Sequence, residues 1–160
     1  MKRYSLSLFF LSALILGLSF AVMRGGVAWA IPSSQADCDF DEVSTTSFVP
    51  AQVPNSIVSV NNGFLARTCI IQFSSQGGTF PTSEQIRIRY SVDGGACTSF
   101  GPEEHLFPSN IIDTLTNISV LDLGPGKHTI QPCFSRSGGA GAPPTAILQN
   151  RCLTVECRTW

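Results

Sequence analysis

The sequence has 160 residues and a formal net charge of only −1. All 11 acidic side chains but only 7 of the 10 basic ones lie after residue 30, so residues 31–160 carry a net charge of −4 and no basic cluster. This charge pattern excludes nucleic acid as a partner and argues against binding to an anionic membrane surface. The length after residue 30 fits a single domain.

The N-terminus predicts export. Lys2 and Arg3 precede an uncharged apolar run at 6–23, and the small-residue motif AWA follows at 28–30. This order is typical of a secretory signal peptide, which we assign to residues 1–30. The apolar run is also long enough for an uncleaved anchor, because a membrane-spanning helix needs roughly 17–25 residues. We expect a secreted or periplasmic protein or, as the alternative, an N-terminally anchored protein whose domain lies outside; only this second case involves a membrane.

Cysteine usage agrees with export. All six cysteines follow the predicted signal peptide, and an even number in an exported domain indicates disulfides. Zinc is the weaker interpretation, because structural zinc sites favour closely spaced cysteine pairs and the nearest pair here is interrupted by LTVE. We expect neither a metal ion nor a cofactor. The cysteines predicted to form three disulfides are Cys38, Cys69, Cys97, Cys133, Cys152 and Cys157.

The chain after the signal peptide shows the period-two alternation of β-strands and no sustained helical period. In IRIRYSV at 86–92, apolar side chains alternate with arginine and serine, and the turn sequence DGG follows. In TCIIQFS at 68–74, Cys69, Ile71 and Phe73 share one face. Further strands are predicted at 46–50, 56–60, 114–123, 128–134 and 146–157.

Strands that are separated by Gly, Pro, Asn and Ser clusters predict an all-β, antiparallel sandwich. We place this domain at 46–160, after an acidic leader at 31–45. In the strand at 114–123, Ile118 lies on one face and Asn117 on the other, which we interpret as the wet face. Asn117 opens an N-x-S sequon, so exposure there would suit glycosylation.

The stretch GPGKHT at 124–129 invites comparison with a phosphate-binding loop. The Walker pattern requires glycine where Leu121 stands and serine or threonine where His128 stands. A strand follows, whereas phosphate is bound at a helix N-terminus. We therefore expect a glycine–proline corner that leads into the strand at 128–134, where Pro132 removes a main-chain donor and indicates an edge strand or a bulge.

The chain resembles bacterial immunoglobulin-like and fibronectin-III-like modules in the order of three segments. These are the strand and SVDG turn at 91–94, the segment LGPGKHTI at 123–130 and the closing RCLTVE at 151–156. The resemblance covers roughly 65–160 and implies an immunoglobulin-like β-sandwich, without any catalytic residue. It departs from antibody domains, since the core tryptophan and the tyrosine corner are absent.

The immunoglobulin pattern also implies a disulfide pairing. It would join Cys69 to Cys133 between the sheets, provided that a bulge at Pro132 turns Cys133 inward. Two further disulfides would then complete the set: Cys97 with Cys152, and Cys38 with Cys157.

Two polar clusters in the sequence are candidate metal sites. The carboxylates of DCDFDE at 37–42 are spaced like part of a calcium loop, but the glycine and glutamate that complete such a loop are absent. We interpret them as a solvated acidic leader. The second cluster is expected where loops 101–108 and 122–128 meet at one end of the sandwich. Its residues are Glu103, His105, Asp122 and His128.

This second cluster defines the alternative function, a small exported metal-dependent hydrolase. The chain has no G-x-S-x-G elbow, and paired thiols provide no cysteine nucleophile. The favoured function is non-enzymatic: a binding or adhesion module, or an envelope accessory protein, with a protein or glycan partner. We expect loops 74–85 and 135–145 to be neighbours that form the contact surface, with Phe80 as aromatic anchor and Arg136 as its cationic neighbour. The alternative is that both loops are only flexible connectors.

Overall fold

The computed structural model describes residues 33–80, 84–100, 104–107, 110–137 and 145–158, all within the compact unit at 32–160. The predicted signal peptide lies outside the described residues. Within the described ranges, ten strands form two antiparallel sheets. Sheet A contains β1 (Ser33–Asp39), β2 (Val43–Thr45), β5 (Arg67–Phe80), β8 (Ile112–Leu123) and β10 (Thr145–Arg158). Sheet B contains β3 (Ala51–Gln52), β4 (Val58–Asn61), β6 (Glu84–Val92), β7 (Glu104–Phe107) and β9 (Lys127–Ser137).

The strands pair in a nested order, early strands with late ones. Sheet A has the order β1-β10-β5-β8, with β2 also on β10; sheet B has the order β3-β9-β6-β7, with β4 also on β9. The first long strand therefore pairs with the last, β4 with β9, β5 with β8 and β6 with β7, which is the nesting of a jelly roll. The predicted all-β, antiparallel, disulfide-stabilised sandwich is confirmed. Its connectivity is the jelly-roll order, not the ABED/CFG order of immunoglobulin domains.

The core lies between the two sheets, where the alternating apolar side chains of both inner faces meet. Cys69, Ile71 and Phe73 of β5 are fully buried, as their shared face predicts. Ile86 and Ile88 of β6 face them from sheet B and are equally buried. No helix in the described part of the chain is long and apolar enough to cross a membrane.

The N-terminal segment 31–45 contributes strands where a solvated leader was predicted. β1 pairs with β10 along its whole length, from Ser33 opposite Cys157 to Asp39 opposite Arg151. β2 pairs with β10 further along. The described part of the sandwich thus begins at Ser33 and not at residue 46. Backbone pairing at a sheet edge requires no apolar face, so the polar sequence of β1 gave no signal.

The strand β8 presents the face opposite to the one predicted. Asn117 and Ser119 are buried, whereas Ile118 and Val120 are 53% and 56% exposed. The reason is a hydrogen-bonded cluster: the Tyr90 hydroxyl donates to Asn117 Oδ1 at 2.7 Å, and Ser119 Oγ donates to the same oxygen at 3.2 Å. The prediction that Asn117 lies on a wet face is wrong, and its side chain is not presented for glycosylation in the folded chain.

Three disulfides are present, but the pairing implied by the immunoglobulin pattern is wrong. Two of them join directly opposite residues of neighbouring strands in sheet A, Cys38 to Cys152 and Cys69 to Cys157. The third joins Cys97, in the connection after β6, to Cys133 of β9. All six cysteines are thereby paired, and none of the three disulfides joins one sheet to the other.

The third disulfide follows from the regular register of β9 at Pro132. The ladder with β6 runs without a shift from Gln85–Ser137 to Val92–Ile130, so Cys133 stays on the outer face of sheet B. The predicted edge position or bulge at Pro132 is therefore wrong. Pro132 accepts a hydrogen bond from Val53 N at 2.8 Å, and the side-chain amide of Gln131 donates to Val53 O at 2.8 Å. Gln131 thus supplies the donor that the proline lacks.

Candidate functional site

Three connections meet at one end of the sandwich, which we call the tip end. They are residues 62–66 between β4 and β5, the turn at 93–95 after β6, and the turn at 124–126 between β8 and β9. The predicted glycine–proline corner is this last turn, and Gly126 adopts a φ of 110° that favours glycine. The β4–β5 connection and the β8–β9 turn are paired through their main chains, Asn62 N to Gly126 O at 2.8 Å and Gly126 N to Gly63 O at 2.9 Å.

A buried asparagine fixes these two connections from within. Asn62 is 1% exposed, and its side-chain amide donates to the carbonyl oxygens of Leu123 and Gly124 at 3.3 and 2.9 Å. Gly63 N donates to Asn61 Oδ1 at 3.0 Å and continues the chain in a left-handed conformation with φ of 61°. The main chain that leads into residues 64 and 65 is therefore fixed by hydrogen bonds.

Those residues are apolar and face solvent. Phe64 is 99% exposed and Leu65 is 58% exposed. We call this pair the apolar tip. Sequence analysis missed it, although NNGFL carries a signal: two large apolar residues directly after an Asn-Gly turn have no strand position from which to reach the core. Aromatic side chains are enriched at the contact surfaces of proteins.

An ion pair lies beside the apolar tip. His128 Nδ1 is 2.8 Å from Asp93 Oδ2, and His128 Nε2 is 3.1 Å from the Gly124 carbonyl oxygen. Both ring nitrogens face acceptors, so the imidazolium form satisfies both. The Asp93 carboxylate, followed by the Gly124 carbonyl, raises the pKa of His128. The hydrogen bond from Thr129 N, and then His128, lowers the pKa of Asp93.

The predicted constellation of metal-binding or acid–base groups is not assembled at this end. His105 lies on β7 opposite Ile86, near one end of β6. His128 lies near the other end of β6, where Val92 pairs with Ile130 of β9. Six residues of strand separate those two positions on β6, a distance of about 20 Å. His105 therefore does not meet the 122–128 segment as predicted, because β7 carries it along the sheet away from that end.

The other members of that set have separate surroundings. Asp122 accepts a hydrogen bond from Thr68 Oγ1 at 2.6 Å, and burial lowers the pKa of His105. Glu103 lies outside the described residues. Within the described ranges, no three His, Cys, Asp or Glu side chains are grouped so that they could hold a metal ion.

The acidic residues of DCDFDE hold the chain in place. Asp37 Oδ2 accepts from Ile57 N at 2.9 Å, and Asp39 forms an ion pair with the buried Arg151. The main-chain N–H of Asp41, and then Arg151, lower the pKa of Asp39. Two carboxylates of the predicted solvated leader therefore fix β1 to the segment before β4 and to β10.

The predicted contact surface at Phe80 and Arg136 has a different geometry from the one expected. Residues 74–80 belong to β5, and the residues between β5 and β6 and between β9 and β10 lie outside the described part. Arg136 is not a surface cation, because its side chain is 4% exposed and paired with an equally buried Glu84. Phe80 is half-buried and pairs with Thr145. Whether Phe80 takes part in binding stays a prediction.

Comparison with known proteins gives a fold and no family. No protein-family model matches the chain, and no curated protein matches it. Solved structures do match. A T=1 particle derived from infectious bursal virus superposes with a TM-score of 0.57 at 9% identity, over 78% of this chain and 31% of that chain. The infectious bursal disease virus T13 particle gives 0.50 at 10% identity, over 78% and 31%. A Bacillus thuringiensis Cry8Ea1 delta-endotoxin gives 0.41 at 7% identity, over 74% and 19%. The chain thus spans less than a third of these neighbours, and its likeness to the two virus particles agrees with the β-sandwich fold.

Proposed function

We propose that this chain is an exported, non-enzymatic binding module that contacts a protein partner through its apolar tip. The observation that carries the proposal is the 99% exposure of Phe64 on a connection fixed by main-chain and Asn62 hydrogen bonds. An exposed aromatic side chain on a mobile loop would lose conformational entropy on binding. Here the main-chain part of that entropy has already been lost on folding, so the main chain of the tip is pre-organised for a partner's pocket.

Three disulfides support a site of action outside the reducing cytoplasm. The dispersal of the described acid–base candidates over two ends of the sandwich favours binding over hydrolysis. Aromatic side chains dominate the energetics of many protein interfaces, and a single anchor commonly contributes more than about 2 kcal/mol. We infer an envelope or adhesion role in which Phe64 enters an apolar pocket and Leu65 packs at its rim.

A binding experiment tests this proposal. The oxidised protein is mixed with an envelope preparation from the organism that encodes it, and bound protein is measured by sedimentation as a function of concentration. We expect saturable binding that the double variant Phe64→Ser, Leu65→Ser weakens by roughly 30-fold or more, as loss of a hot spot of about 2 kcal/mol implies. The thermal unfolding temperature should not change, because neither side chain is part of the core.

Phe40→Ser provides the matched control. Phe40 is also strongly exposed, at 78%, but it follows β1 on the side of the sandwich where Asp39 meets Arg151, away from the tip end. Its variant should bind like the wild type. Equal binding by all three proteins would contradict the proposal, as would an equal loss in both variants, since that would indicate non-specific hydrophobic adsorption.

A further inference from the structure

The two edges of sheet A differ in how they are protected from pairing with another chain. β8 is 12 residues long and pairs with β5 along its length, from Arg67 opposite Leu123 to Gly78 opposite Ile112. Among the described residues no strand pairs with its other side. An edge strand turns alternate main-chain N–H and C=O groups outward, and these groups can template a further strand.

The usual protections of an edge are missing from β8. It contains no proline, lysine or arginine, and its register with β5 shows no bulge. Its two charged residues, Asp113 and Asp122, stand near the ends of the strand. Apart from Asp122, the outward-facing side chains of β8 are β-branched, and the large apolar ones among them are about half exposed. They are Ile112, Thr114, Thr116, Ile118 and Val120.

The apolar surface extends from the edge onto the outer face of the sheet. Ile70 of β5 stands directly opposite Val120 and is 37% exposed. Together with Ile118 it forms a stripe beside the unpaired edge. Adding a strand there would satisfy the main-chain groups and cover this stripe in one step.

We propose that β8 pairs with β8 of a second copy of this chain, antiparallel and about a two-fold axis, so that the two sheets A become one continuous sheet. A strand that pairs with itself uses the same surface on both copies, so the interface is closed and yields a dimer. This inference concerns a different surface from the apolar tip and does not depend on it.

Side-chain alternation and charge select the register of this pairing. Outward residues must lie opposite outward residues, which a two-fold axis at Ile118 achieves. Thr116 is then opposite the partner's Val120, and Thr114 is opposite the partner's Asp122. A threonine opposite Asp122 already occurs within sheet A, where Thr68 donates to that carboxylate at 2.6 Å. The same register keeps carboxylates of the two copies from facing each other.

The other edge of sheet A explains why association would stop at two. β1 reads SSQADCD and offers no large apolar side chain. The carboxylates of Asp37 and Asp39 are committed to Ile57 N and Arg151. This edge therefore lacks an apolar stripe like that of β8, and growth into a filament through both edges is disfavoured.

The oligomeric state of the oxidised full-length secreted protein tests the proposal. Sedimentation velocity over a concentration series should show a monomer–dimer equilibrium for the wild type. Ile118→Lys should raise the dissociation constant by about 100-fold or more, since each copy would place a charge at the two-fold axis. Its fold should be retained, because Ile118 is outside the core. A monomeric wild type, or an unchanged dimer of the variant, would overturn the proposal.

Cross-linking tests the register. Directly opposite residues in an antiparallel pair have Cα atoms about 4.5–5.5 Å apart, within the range that a disulfide requires. Ile118→Cys should therefore form a disulfide-linked dimer under mild oxidation, whereas Thr114→Cys, exposed on the same strand but far from its own copy, should not. Cross-linking of Thr114→Cys alone would overturn the register. The Phe64→Ser, Leu65→Ser variant should remain dimeric, which separates this inference from the proposed function.

Discussion

Two ion pairs close the ladder between β6 and β9, one at each end, and they are built in opposite ways. At one end Glu84 of β6 meets Arg136 of β9, and both side chains are 4% exposed. At the tip end Asp93 follows β6 and meets His128 of β9, with side chains 49% and 17% exposed. The same pair of strands is thus fastened by a buried pair at one end and by a solvated pair at the other.

The surroundings explain the difference. Arg136 Nη1 lies 3.2 Å from both Glu84 oxygens, its Nε donates to Thr46 O at 2.8 Å, and the Phe48 ring stacks 3.7 Å from the guanidinium carbon. Removing one partner would leave a buried charge unpaired. His128 and Asp93 instead keep access to water, so the loss of either is compensated by solvation. Burial, rather than the distance between the charges, therefore decides which end depends on its ion pair.

The largest expected effect comes from the buried pair. Arg136→Met should lower the free energy of unfolding by about 3–5 kcal/mol, because Glu84 is left buried without its cation. Urea unfolding of the oxidised protein measures this change. The double variant Glu84→Met, Arg136→Met should recover most of the loss, since no buried charge remains. A double variant as unstable as the single one would show that packing of Arg136 against Phe48, and not the charge pair, dominates at this end.

An intermediate loss of unfolding free energy is expected at Tyr90 of β6, whose buried hydroxyl lies between the two ion pairs. Tyr90 of β6 is 1% exposed, and burial raises its pKa. Tyr90→Phe removes the hydrogen bond to Asn117 Oδ1, which keeps Ser119 Oγ as a second donor. The free energy of unfolding should fall by about 1–2 kcal/mol, measured in the same urea titration. Ser119→Ala is the control, because it removes the longer of the two bonds and should cost less; the reverse order would contradict this assignment.

The smallest effect is expected at the solvated pair, where it depends on pH. The pKa of His128 is raised in the folded state, so its contribution to stability is complete below the unfolded value of about 6.5 and is lost as pH rises through the folded pKa. The pKa of Asp93 is lowered, so its contribution is present above about 3.9 and is lost as pH falls. His128→Gln should flatten the stability profile above pH 6.5 and change stability by about 1 kcal/mol or less.

The Asp93→Asn variant is the matched test of that pH dependence. It should also remove the fall in stability above pH 6.5, because His128 then lacks the carboxylate that raises its pKa. If either variant keeps the wild-type fall in unfolding temperature on the alkaline side, the slope belongs to another group and the His128–Asp93 pair does not set it.

The alternating pattern of the long strands was sufficient to predict an all-β, antiparallel sandwich, but not its jelly-roll strand order. The core positions of β5 and β6 are those that a period of two predicts, because each strand has one face against the opposite sheet. Alternation cannot tell which face is inside when polar residues occupy the inner one. In β8 the hydrogen bonds of Asn117 with Tyr90 and Ser119 make a polar interior stable, and the isoleucine and valine of that strand face solvent instead.

The features that sequence analysis missed depend on contacts between distant residues. β1 is held by its ladder with β10, at the opposite end of the chain. The position of Pro132 in a central strand depends on Gln131 and Val53, and nothing near Pro132 in the sequence reveals the hydrogen bond that joins them. Arg136 looked like a surface cation because its partner, Glu84, lies on β6, and β7 and β8 separate that strand from β9 along the chain. Local patterns predicted strands; the charged interior and the disulfide pairs required the strand order.

The arrangement of the three disulfides has a consequence for the protein in a reducing environment. Cys38 is exposed on the edge strand β1, whereas Cys69 and Cys157 are fully buried in the core. A thiol must reach a sulfur atom to exchange with it. A soluble reductant therefore meets the Cys38–Cys152 bond while the sandwich is intact, and its reduction leaves β1 held by the ladder with β10 and by the contacts of Asp37 and Asp39. The Cys38–Cys152 bond is thus more accessible to reduction than the Cys69–Cys157 bond. Because no disulfide joins the sheets, their contact depends on core packing and on hydrogen bonds such as that of Tyr90 with Asn117, and reduction removes neither directly.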